Sequence, residues 1–331
     1  LLWLRAFTRR LRRIALTPPL LRMSPGFPRP WLIRAACLCA VTLLLSLSAC
    51  QPEGGSGQRP VARVASSEVA ALRPVDAVYV LRDRLLARDG AGFAQLAVPP
   101  ALHAELELAW RAGRSRWPLD ELPLDARIPR MLAALQAPNA DKALMVTFRS
   151  QFAGADADID QAIRTLMVFG GQYVQTDPDS SQTEHDHTHQ AIAAMGAWAL
   201  QAPLADPKRA QRFFSVLSAA AIRSGIDGKA GNHAFATLGM TQSLNRLSPF
   251  LATLLAQLHQ QYGLDIDAAL RSVRVSLLQQ TGDQAQLRLQ YTLAGHRIDA
   301  IVPVVRLNGH WYLRDFVARA EASVRSQEGL P

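Results

Sequence analysis

The sequence predicts an α+β fold, a mostly helical N-terminal body followed by a C-terminal four-stranded antiparallel β-meander. Two periodicities carry that prediction. From about Ser66 to Leu270 apolar residues recur three and four positions apart, with glycine and proline at the breaks, as on helices that bury one face. Beyond Asp267 they alternate at period two. Three turn signals, Thr281-Gly282-Asp283, Ala294-Gly295 and Asn308-Gly309, divide that stretch into four strands.

Within the helical body (residues 66–270), Val75, Val78, Leu81 and Leu85 form a first apolar stripe, started by Pro74 and stopped by Gly90. Pro99-Pro100 opens a second with Leu102, Leu106 and Trp110, closed by Gly113. A third has Ile128, Leu132 and Leu135 before Pro138. The fourth carries Leu144, Phe148 and Phe152 up to Gly154, and a fifth runs from Ile159 to an expected end near Gly170-Gly171. Asp206-Pro207 opens a helix through Phe213, Phe214 and Leu217 to Gly225. Ser248-Pro249 is expected to open another, through Leu251, Leu254, Leu255 and Leu258 to Gly263. Abundant alanine suits close helix packing.

In the meander (residues 271–316), Val273, Val275 and Leu277 alternate with polar residues, and so do Leu287, Leu289, Tyr291 and Leu293. Pro303 interrupts the apolar third strand and is expected at an edge or bulge, because it donates no ladder hydrogen bond. Residues 317–331 read as a C-terminal tail. The hairpin Arg306-Leu307-Asn308-Gly309-His310-Trp311-Tyr312-Leu313 resembles the last hairpin of NTF2-like and related small α+β domains. That resemblance implies a pocket enclosed between sheet and helices.

The first fifty residues have another character. They hold eight of the 36 basic residues and none of the 27 acidic ones, which leaves 28 basic against 27 acidic beyond Cys50. The formal charge of +9 is therefore a property of the leader, and a globally basic, nucleic-acid-binding surface is excluded. All three cysteines (Cys37, Cys39, Cys50) also lie there, so the rest of the chain contains no internal disulfide, thiol nucleophile or cysteine zinc site.

Ala35 to Ala49 is an apolar run of fifteen residues, short of the roughly 20 that a spanning helix needs. Arg29 and Arg34 precede it and small residues close it, the pattern of a secretory signal peptide over residues 23–49. The chain opens on Leu1 and its first methionine is Met23, so residues 1–22 read as an over-extended start or leader. Leu47-Ser48-Ala49-Cys50 resembles the lipobox of bacterial lipoproteins. The resemblance implies cleavage before Cys50, a diacylglycerol thioether on its sulfur and acylation of the new amine. Gln51, where aspartate would signal retention, implies sorting to the outer membrane, facing the periplasm. Two or more acyl chains hold a protein durably on a bilayer, at about 0.8 kcal/mol per buried methylene. Residues 50–65, rich in glycine, serine and other small residues, suit a tether.

Beyond the leader, one dense group of metal-capable side chains stands out, Glu184-His185-Asp186-His187-Thr188-His189. On a helix His185 and His189 share one side, and Glu184 and His187 another. A divalent metal held by Glu184, His185, His187 and His189 would need further ligands from elsewhere. The same residues also suit a solvated helix start, with Asp177 to Ser181 supplying the cap. Asp156, Asp158 and Asp160 mimic the opening of an EF-hand loop, but Gln161 and Met167 stand where glycine and a bidentate acid are required. His103 with Glu107, and His233, are isolated. No nucleophile elbow, His-Glu-x-x-His, phosphate loop or dinucleotide fingerprint occurs.

The expected function is therefore that of an outer-membrane-anchored periplasmic lipoprotein with a non-catalytic binding or envelope-support role. Its partners would be membrane lipid through Cys50 and an envelope protein or peptidoglycan, without a cofactor. The alternatives are a small-ligand or lipid carrier with a pocket against the sheet, and a metal-dependent hydrolase using the Glu184–His189 cluster.

Overall fold

The computed structural model describes residues 71–122, 127–175 and 181–325. The leader, Cys50 and the tether lie outside the described residues. The fold is α+β, with twelve α-helices and one four-stranded sheet among the described residues. The helices are α1 (Asp76–Leu86), α2 (Gly90–Ala97), α3 (Pro100–Arg111), α4 (Ile128–Gln136), α5 (Ala140–Gln151), α6 (Asp156–Gln175), α7 (Gln182–Ala199), α8 (Pro207–Arg223), α9 (Asn232–Leu238), α10 (Met240–Tyr262), α11 (Ile266–Arg271) and α12 (Arg314–Arg325). The strands β1 (Arg274–Thr281), β2 (Gln284–Leu293), β3 (His296–Leu307) and β4 (His310–Leu313) pair antiparallel in sequence order.

Four of the sequence expectations require correction. Gly90 does not stop the first helix but opens α2; α1 ends at Leu86 and Arg88 takes the positive φ after it. Gly170 and Gly171 do not end α6 but lie within it, facing α7. A Cβ at Gly171 would come to 3.0 Å from Cε1 of His189, and one at Gly170 to 3.4 Å from Cδ1 of Ile192. Across the same seam a Cβ at Gly196 would fall onto Sδ of Met167. These glycines bring two helices close rather than stopping one. Pro249 does not open a helix; it sits inside α10, whose buried stripe Leu244, Leu247, Phe250, Leu254 and Leu258 continues across it. Ser248 Oγ steadies the site, donating to Leu244 O at 2.8 Å and accepting from Gly90 N at 3.2 Å. Finally, the expected tail is largely helix: α12 runs to Arg325 and buries Phe316, Val317 and Ala320.

The meander turns as its sequence demands. Ala294-Gly295 and Asn308-Gly309 each place two consecutive residues at positive φ, the type I′ geometry of two-residue hairpins. Counted from the first of these turns, Pro303 falls on a non-hydrogen-bonded position opposite Gln286. Its nitrogen therefore faces the side where β4 pairs with β3 only from Val304 to Leu307. No ladder bond is lost there.

The main core lies among the helices, around Leu106, Trp110, Trp117, Leu132, Phe213, Leu217, Phe250 and Leu254. Two smaller apolar clusters close the inner face of the sheet. One joins Ala71 and Ala77 of the α1 region to Ala285, Leu287, Val304 and Trp311. The other joins Ala191 and Ala194 of α7 to Ala269, Leu293 and Ile298. Helix α12 returns from β4 to the main core, where Phe316 meets Phe93 edge-on at 5.9 Å.

Candidate functional site

The polar centre of the fold lies where α7 begins. Ser181 caps the helix in a capping box: its Oγ accepts from Glu184 N at 3.3 Å, and Glu184 Oε2 accepts from Ser181 N at 3.0 Å. The second Glu184 oxygen, Oε1, accepts from Nη1 of Arg319 on α12 at 2.9 Å. Nε of Arg319 lies 3.2 Å from Oε2 of Glu121, in the short 3-10 turn Leu119–Glu121. One guanidinium thus ties α12 to both α7 and that turn. It also lies 5.6 Å from the centre of the Phe316 ring, which shields it further.

A third carboxylate completes the group. Asp315 stands one helical turn before Arg319 on α12, its carboxyl 3.8 Å from Nε of Arg314. Burial, and then the charge of Glu184, push Asp315 up to about 6, with Arg319 and Arg314 pulling the other way. Side-chain exposure is 3% for Glu121, 13% for Glu184, 17% for Asp315 and 16% for Arg319, so Glu121 and Glu184 share one guanidinium largely away from water, with Asp315 buried beside them on α12.

The histidines go elsewhere. His187 is not on a solvated helix start as expected; it is buried, and its Nε2 lies 2.9 Å from Oη of Tyr291 on β2. The two rings meet edge-on at 5.9 Å. Burial pushes the imidazole down to about 4, and burial also pushes the Tyr291 phenol up, so both are neutral at pH 7. His189 is half-buried with its ring against Gly171, its Nε2 enclosed without a hydrogen bond among the described residues. His185 is half-buried and engaged by a neighbour.

Glu184, His187 and His189 therefore face three different elements: α12, β2 and α6. Both Glu184 oxygens are occupied by protein donors. The structure does not bring the expected metal set together, and no group of three His, Cys, Asp or Glu side chains is placed to hold a metal among the described residues.

Asp156 and Asp158 are exposed in the first turn of α6, where acids suit the helix dipole. Glu107 caps the start of α10, accepting from Thr241 N at 3.0 Å and Thr241 Oγ1 at 3.2 Å. His233 is exposed near the start of α9. Glu121, Asp315 and Arg319 were not singled out from the sequence. The one signal for them is the four-residue spacing of Asp315 and Arg319 in a segment whose apolar residues keep helical periodicity.

No family model, curated protein or solved structure matches the chain.

Proposed function

We propose that the chain is a lipoprotein of the bacterial envelope, anchored through Cys50 to the outer membrane, whose periplasmic domain has a non-catalytic binding or supporting role. The observation that carries the reading is the tetrad Leu47-Ser48-Ala49-Cys50, which closes the apolar run begun at Ala35 and stands directly before a glycine-rich stretch. A domain held by acyl chains needs no spanning helix, and none of the described helices is long and apolar enough to cross a membrane. The non-catalytic part is supported by how the polar centre is used: Glu184, Arg319 and Glu121 bind one another across three elements, and His187 binds Tyr291. These are bonds that hold a fold together.

Radiolabelled palmitate fed to cells producing the full chain or Cys50→Ser tests the anchor. Label in the first and none in the second is expected; equal labelling overturns it. Separation of inner and outer membranes then tests the sorting implied by Gln51. Crosslinking the intact envelope before recovering the lipidated protein identifies the partner.

A further inference from the structure

Charge is spread unevenly beyond Cys50. Helices α4, α5 and α8 carry seven of the 28 basic residues there and, in Asp141, one of the 27 acidic ones. Outside these helices acids therefore outnumber bases. The three pack together: Phe148 of α5 meets Phe214 of α8 edge-on at 6.2 Å, and Gln136 at the end of α4 donates from Nε2 to Ala221 O of α8 at 2.9 Å.

Helical spacing decides which side of each faces out. Helix α8 buries Phe213, Leu217 and Ala220, and α5 buries Met145 and Phe148. On the exposed side of α5, Lys142, Val146 and Arg149 follow one another at steps of four and three. On α8 the same steps run through Lys208, Arg212, Ser215, Ala219 and Ile222, all exposed, with Arg223 beside the last. Arg130 adds an exposed guanidinium from α4. None of the six bases Arg130, Lys142, Arg149, Lys208, Arg212 and Arg223 forms an ion pair among the described residues. Asp206, the N-cap of α8, pairs with Arg209 at 3.5 Å, and Asp141 is half-buried in the first turn of α5. Set among these bases are two aliphatic side chains turned to solvent, Val146 at 68% and Ile222 at 61% exposure.

We propose that the exposed side of α4, α5 and α8 is a lipid-docking surface, which seats the domain on a bilayer containing anionic phospholipid. Charge complementarity supplies the attraction: unpaired ammonium and guanidinium groups meet headgroup phosphates without first giving up a protein partner. Their long aliphatic stems let the charged ends stay at the phosphates while Val146 and Ile222 enter the boundary of the acyl chains. A soluble polyanion would match the bases equally well but would leave those two side chains in water. The surface acts through the folded domain and does not rest on a lipid at Cys50.

A fluorophore sensitive to its surroundings tests this in the full chain. Cys37→Ser, Cys39→Ser and Cys50→Ser remove the native thiols and any acyl anchor, and Val146→Cys takes the label. With phosphatidylcholine vesicles containing phosphatidylglycerol the label is expected to brighten and shift to the blue; with phosphatidylcholine alone it is expected to stay unchanged. The basic leader is present throughout, so a label at Ile301→Cys on β3 serves as the comparison and is expected not to respond. Each base at a charged bilayer is worth about fivefold in affinity. Lys142→Glu, Arg149→Glu and Arg212→Glu together should therefore weaken the response at position 146 by about a hundredfold or more. Arg114→Glu, Arg274→Glu and Arg297→Glu change the net charge equally from exposed positions elsewhere and should preserve it. No response at position 146, or an equal one at position 301, overturns the proposal. So does an equal loss in both triple variants. A response to heparin with none to anionic vesicles would make this a polyanion-binding face and overturn the lipid assignment.

Discussion

The side-chain amide of Gln190 stands in for a missing strand beside Asp299. Its Nε2 donates to Asp299 O at 2.8 Å and its Oε1 accepts from Asp299 N at 2.8 Å, the two bonds that a neighbouring strand would make. Asp299 lies on β3 beyond the reach of β4, where the strand has an open edge. Helix α7 closes that edge from the side. Gln190→Ala leaves both backbone groups without protein partners and is expected to lower stability by about 1–2 kcal/mol. Urea unfolding measures the loss, and faster exchange of the Asp299 amide would place it at this edge.

His187 and Asp315 are expected to act on stability with opposite signs. His187 is held at about 4 in the fold against 6.5 ordinarily, so the unfolded chain binds its proton more tightly. Its contribution is present above about pH 6.5 and is lost as pH falls towards 4, by about 3 kcal/mol at most. Asp315 is raised from 3.8 to about 6, so its contribution is present below 3.8 and is lost as pH rises through 6, by roughly 2 kcal/mol. Between pH 4 and 6 the two largely cancel. Thermal melts of His187→Gln should uncover a slope falling with pH, and those of Asp315→Asn a slope rising with it.

Arg319→Met leaves Glu121 and Glu184 without the guanidinium they share. Breaking a buried ion pair from one side costs about 3–5 kcal/mol, and the loss here is expected to be smaller at pH 5, where an acid can take up a proton. Denaturant midpoints at pH 5 and 7.5 check both the size and its direction.

The same substitution at two glycines should have unequal consequences. A Cβ at Gly196 meets Met167 Sδ, the flexible part of a side chain that can swing aside, at a cost of about 1 kcal/mol. A Cβ at Gly228 meets the backbone nitrogen of Ala133 in α4, which has nowhere to go, and about 3 kcal/mol or more is expected. Melting temperatures of Gly196→Ala and Gly228→Ala give the comparison. Adding Met167→Ala should relieve the overlap in the first and leave the second unchanged.

The division into helices and meander was legible because periodicity records which side of an element is buried. The stops were less so, since a glycine reads alike whether it ends a helix or lets another approach. Gly113, Gly225 and Gly263 follow helix ends at positive φ, whereas Gly170, Gly171 and Gly196 make room for a neighbour that sequence order does not reveal. The Glu184–His189 cluster was visible as composition, but its use depends on partners far along the chain: Tyr291 for His187 and Arg319 for Glu184. Glu121, Asp315 and Arg319 were hidden for the same reason. A residue acquires a chemical role from what folding places beside it, and Glu121 meets Arg319 only after some two hundred residues of chain have packed.

The bond from Trp311 N to Ala71 O, 2.9 Å long, fixes the first described residue to the outer edge of β4. A pull applied to the chain at Ala71 would act first on that bond. The load would pass into the apolar cluster of Ala71, Ala77, Leu287, Val304 and Trp311, and so into the sheet, before it reached the helical core. The edge strand that closes the meander is thereby also where a pull at Ala71 enters the fold.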